Sequence, residues 1–90
     1  MRKLLTLKIF GKVQGIGFRY STARSARKFG IVGFVRNEPE GAVYIEAEGD
    51  AEKLKEFLAW CERGPLLAQV KNIESKWSEE VKNFPGFEIQ

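Results

Sequence analysis

Ninety residues suit one domain, and a chain of that size buries roughly two thirds of the surface its unfolded form exposes, enough for one modest core. An apolar content of 43%, a charged content of 30% and seven Phe exclude the disordered and membrane classes, and the lone Cys61 excludes an internal disulfide framework and reads as cytosolic. Net charge is only +3, but residues 1–37 hold nine Lys and Arg with no acid, whereas residues 38–90 hold six basic residues and twelve acids. The first part should draw anions, and the rest should repel polyanions, so a small anionic ligand fits better than nucleic acid.

Met1 to Phe10 starts with basic residues and three leucines, but Lys8 interrupts it before a signal-peptide core develops. It reads instead as a first strand: Leu5, Leu7 and Ile9 alternate with Thr6, Lys8 and Phe10, and the pattern runs on to about Val13. Gly11, Gly15 and Gly17 then fall close together before a helix, and Arg19 stands at its opening. Glycines let the backbone turn its amides toward an anion, the helix start adds unpaired N–H donors, and a guanidinium can close the nest with a two-pronged grip. Taken alone, the stretch reads more readily as a plain strand-to-helix turn with Arg19 in solvent.

Phe18, Thr22, Ala26 and Phe29 recur at helical spacing, and Gly30 ends this first helix. Ile31 to Asn37 reads as a second strand, Glu38 to Gly41 as a turn, and Val43, Ile45 and Ala47 as the inward positions of a third strand, with Tyr44, Glu46 and Glu48 facing out. Asp50 is a candidate N-cap for a second helix whose apolar stripe is Leu54, Phe57, Leu58 and Cys61, stopped by Gly64-Pro65. Val70 to Trp77 makes a fourth strand, and Phe87 with Ile89 a short edge strand after Pro85-Gly86. The order βαββαβ predicts an α+β, ferredoxin-like split βαβ fold: an antiparallel sheet with two helices on one face and the other face left open. The turn after the first strand and the end of the second should lie near each other, so that Arg19 and Asn37 can converge.

With no His in the chain there is no Ser-His-Asp triad, no Cys-His pair and no His-ligated metal. Cys61 belongs to the buried stripe and reads as an inert thiol. The glycine turn has Tyr20 where a dinucleotide fingerprint needs its third glycine, and no Gly-Lys-Ser/Thr occurs. What remains is an anion nest, one guanidinium, and the neutral amides of Gln14 and Asn37. That set suits phosphoryl transfer by positioning and charge stabilisation, on a substrate whose leaving group needs no protonation, such as an acyl phosphate.

Ile9-Phe10-Gly11-Lys12-Val13-Gln14-Gly15-Ile16-Gly17-Phe18-Arg19 closely resembles the first signature of the acylphosphatases. Gly33-Phe34-Val35-Arg36-Asn37, followed by Gly41, Val43 and Gly49, is similar to the second. The resemblance spans essentially all of residues 1–90 as one domain. It implies a cofactor-free and metal-free hydrolase of carboxyl-phosphate bonds, with Arg19 and Asn37 as the catalytic pair, Gln14, Gly15, Ile16, Gly17, Phe18 and Arg19 as the phosphate-binding loop, and inorganic phosphate as product and inhibitor. Ile16 and Phe34 stand where the family often has Val and Trp, both apolar exchanges. The expected protein is a cytoplasmic monomer with no nucleic-acid or membrane partner. Two other classes fit the same βαββαβ order: a phosphate-sensing domain without turnover, and an RNA-binding module, which Val32-Gly33-Phe34-Val35 echoes faintly but in the wrong strand.

Overall fold

In the computed structural model, which describes residues 1–90, β1 spans Arg2–Lys12, followed by α1 (Phe18–Lys28), β2 (Val32–Asn37), β3 (Val43–Asp50), α2 (Ala51–Arg63), β4 (Gln69–Ser78) and β5 (Phe87–Ile89). Local chemistry sets the helix ends. Gly30, at φ 72°, closes α1 in a Schellman motif: Ile31 N–H donates to the Ala26 carbonyl at 2.8 Å and Gly30 N–H to that of Arg27 at 3.1 Å. Asp50 caps α2, its carboxylate accepting from Glu52 N–H at 3.2 Å.

The strands form one sheet in the order β4-β1-β3-β2-β5. Leu5, Leu7 and Ile9 of β1 and Val43, Ile45 and Ala47 of β3 share a buried cluster with Phe18, Ala23 and Ala26 of α1 and Leu54, Phe57 and Cys61 of α2. Both helices therefore cover the same face, as the ferredoxin-like plan requires. None of the helices is long and apolar enough to cross a membrane.

Two expectations need correction. The sheet is mixed: β1 to β4 pair antiparallel, but β5 lies parallel to β2, with Gly33 beside Phe87 and Val35 beside Ile89. The reason is the route of the chain. β4 ends at Ser78 opposite Leu4, at the end of the sheet where β2 begins, so the chain crosses there and enters β5 in the direction of β2. Nor is the second face open. Glu46 and Glu48 point away from the helices as expected but are buried, because residues 79–86 lie over them and bond to them.

Gly33 is obligatory where it stands. Its φ is 140°, and a Cβ there would collide with the Glu46 carbonyl oxygen on β3.

Candidate active site

β1 and β2 are each antiparallel to β3, hence parallel to one another, and their C-terminal ends fall on the same edge of the sheet. This is what brings the two motifs together. The glycine loop leaves the end of β1 and Asn37 is the last residue of β2, with Ile9, Val43 and Asn37 in one row across the three strands.

Within the loop, Gly15 and Gly17 have φ of 77° and 78°, and a Cβ at either would meet nothing within 4 Å. They are needed for backbone conformation, not for close packing. Gly17 also starts α1 without a side-chain cap, and the first turn carries no acid but Arg19, the reverse of what a helix dipole favours. The first helical bond runs from Ser21 N–H to the Gly17 carbonyl at 3.0 Å, so the amides before it are not used by the helix. An anion in front of this end would answer both the free amides and the misplaced cation.

These groups line one recess of about 200 Å³, formed by Val13, Gly15, Gly17, Phe18, Arg19, Tyr20, Asn37 and Ile89. Arg19 is the one charged side chain among them. Arg19 Nη1 donates to the main-chain oxygen of Gln90 at 2.8 Å, which holds the guanidinium from one side. A larger groove of about 710 Å³ lies between α1 and α2, but neither the loop glycines nor Arg19 nor Asn37 reaches it.

Of the expected loop residues, Gly15, Gly17, Phe18 and Arg19 line the recess with Asn37, whereas Gln14 and Ile16 do not. Ile16 packs against the core. The Gln14 amide donates to the carbonyls of Glu38 at 2.8 Å and Ala42 at 2.9 Å, stapling the loop to the β2–β3 hairpin that Asn37 begins. Ile89 and the Gln90 carbonyl are the parts that motif reading missed; the alternation of Phe87 and Ile89 signalled a strand but not where it docks.

The aromatic residues of the opposite face form no stacking platform. Phe34 contacts Tyr44 and Phe84 at centroid distances of 5.9 Å each, and the Arg36 guanidinium sits 4.5 Å from the Tyr44 centroid. Burial, with a hydrogen bond to Glu46, pushes the Tyr44 phenol up to about 12. Cys61 is fully buried, and burial pushes its thiol up as well, so it is packed and inert as its position in the helical stripe suggested.

The recess can thus hold a small anion between loop amides and a guanidinium, with a neutral carboxamide at its rim. The sequence profile of the Acylphosphatase family matches residues 5–89. An acylphosphatase of Thermococcus kodakarensis is 47% identical over 83 residues, covering 92% of this chain and 90% of that protein. One of Archaeoglobus fulgidus is 46% identical over 85 residues, covering 94% of each. The crystal structure of acylphosphatase from Bacillus subtilis superposes with a TM-score of 0.96 at 31% identity, covering 98% of each chain. Profile, relatives and fold agree with the two motifs that meet at the recess: the chain belongs to the acylphosphatase family of hydrolases.

Proposed function

We propose that this protein hydrolyses the carboxyl-phosphate bond of small acyl phosphates in the recess between the glycine loop and the end of β2. One observation carries the reading: Arg19 and Asn37, from separate motifs, line the same small recess as Gly15 and Gly17. The loop amides and Arg19 bind the phosphoryl oxygens and stabilise the charge they carry in the transition state. Asn37, neutral and at the rim, orients a water in line with the leaving group. The water oxygen bonds to phosphorus as the bond to the carboxylate oxygen breaks, and the water's proton passes to the phosphate product or to buffer. The carboxylate is a weak base and leaves with its electron pair unprotonated, so a site without a tuned acid suffices.

On this reading residues 1–90 act as one domain whose recess is complete within one chain, and a monomeric, cytoplasmic protein is part of the same proposal. Inorganic phosphate is product and competitive inhibitor, and no cofactor takes part. The test is phosphate release from a simple acyl phosphate, measured beside a phosphomonoester and beside RNA binding on the same sample. Release from the acyl phosphate alone is expected. Phosphate binding without turnover would instead identify a sensor.

A further inference from the structure

Residues 79–86 form neither helix nor strand, yet two buried acids tie them across the sheet face opposite the helices. Glu48 is fully buried; its Oε2 accepts from Asn83 N–H at 3.0 Å and its Oε1 from Phe84 N–H at 3.1 Å, with Arg2 Nη2 at 3.4 Å from Oε2. Asn83, at φ 58°, is the one non-glycine residue with a positive φ. That left-handed turn aims successive amides at one carboxylate. Glu46 adds a bond from Lys82 Nζ at 2.8 Å, and Phe84 sets its edge on Phe34.

This strap leads directly into β5, which is only three residues long. The Gly86 carbonyl accepts from Gly33 N–H at 2.9 Å, Ile89 enters the recess, and Gln90 N–H donates to the Val35 carbonyl at 2.8 Å while its own carbonyl takes Arg19 Nη1. So short a parallel strand has few ladder bonds of its own; Phe87 seats it in the core and its carbonyl accepts from Arg27 Nη2 at 2.7 Å, while the path by which the chain enters it is anchored at Glu48. A buried carboxylate without such donors would be costly, so the anchor and the fold of the strap stand or fall together.

We propose that Glu48 is a positioning residue for the reaction: it fixes the strap, the strap fixes β5, and the Gln90 carbonyl at the end of β5 sets the orientation of Arg19. This rests on the reading of Arg19 as the phosphate-binding side chain. Glu48 lies on the far face of the sheet from α1 and touches no substrate, so it acts only through that chain of contacts.

The test is Glu48→Gln, nearly equal in shape, in which an NH2 group replaces one acceptor oxygen and confronts an amide donor. In the folded variant, the Asn83 and Phe84 amides should exchange faster with solvent. KM for a simple acyl phosphate and the Kd of inorganic phosphate should both rise, on the order of twofold to fivefold, because the effect passes through one exposed hydrogen bond to Arg19. Loss of stability alone would lower the amount of active enzyme and leave both constants unchanged. In an Arg19→Lys background the same substitution should add no further weakening. Unchanged exchange, or faster exchange with unchanged KM and Kd, would overturn the proposal. If Glu48→Gln does not fold, Phe84→Leu loosens the strap without leaving a buried acid unpaired; the same rise in KM and Kd supports the proposal, and parent values reject it. Normal phosphate binding by Arg19→Lys alone would instead overturn the underlying assignment of Arg19.

Discussion

Arg19→Lys keeps the positive charge but removes the planar fork, and the structure indicates how much should be lost. The guanidinium spends Nη1 on the Gln90 carbonyl at 2.8 Å and has its remaining donors for the recess. A lysine ammonium is a point charge and cannot hold that carbonyl while spanning two phosphoryl oxygens. Loss of one positioned donor to a developing oxyanion costs about 2.7 to 4 kcal/mol, or on the order of 100- to 1,000-fold in rate, and loss of the fork should cost at least that. Stability should change far less. The bond to Gln90 is solvent-exposed, so its net worth is at most about 1 kcal/mol, or a shift in Tm of about 4 to 8 °C for a domain of this size. The assay is kcat/KM on a simple acyl phosphate, with competitive inhibition by inorganic phosphate and a thermal transition on the same preparations. A folded Arg19→Lys protein with near-parent turnover and intact phosphate inhibition would refute the reasoning and return Arg19 to a surface role.

Asn37→Ala should lower kcat far more than it weakens inorganic phosphate, because a neutral group that orients water acts mainly in the transition state; proportional loss of both would refute this. Gly15→Ala should cost about 1 to 2 kcal/mol of backbone strain with no clash, whereas Gly33→Ala, whose Cβ meets the Glu46 carbonyl, should cost more, as chemical denaturation can rank. At Glu46 burial pushes the carboxyl up, but hydrogen bonds from Lys82 and Tyr44 with the charges of Lys82 and Arg36 outweigh it and hold the carboxyl below its usual range. The stability it contributes is therefore complete above the ordinary carboxylate pKa and is lost as pH falls through the lowered value, so Glu46→Gln should flatten the acid limb of stability against pH. Thiol reagents should leave native Cys61 unmodified and label it on unfolding, and chelators should leave turnover unchanged, since no three His, Cys, Asp or Glu side chains are grouped to hold an ion.

The sequence by itself determined the elements and the two motifs, because both rest on local chemistry. The period-2 alternation of Leu5, Leu7 and Ile9, the helical spacing of Leu54, Phe57 and Cys61, the Schellman glycine at position 30 and the Asp50 cap each act over a few residues, and all appear in the structure where their pattern placed them. The burial of Cys61 was legible for the same reason. Convergence of Arg19 and Asn37 could be inferred from strand order, but not the shape of what lies between them. Only the tertiary structure decided that the Gln14 amide would be drawn to hairpin carbonyls 24 and 28 positions away, and that Ile89 would close the recess. It decided, too, that Glu46 and Glu48, outward on the alternation, would be buried beneath a returning segment that turns a short last strand parallel to β2. Arg19 and the carbonyl that holds it are 71 positions apart. No local propensity spans that distance; the pairing exists because the chain crosses the end of the sheet and delivers its last residues beside the helix that Arg19 opens.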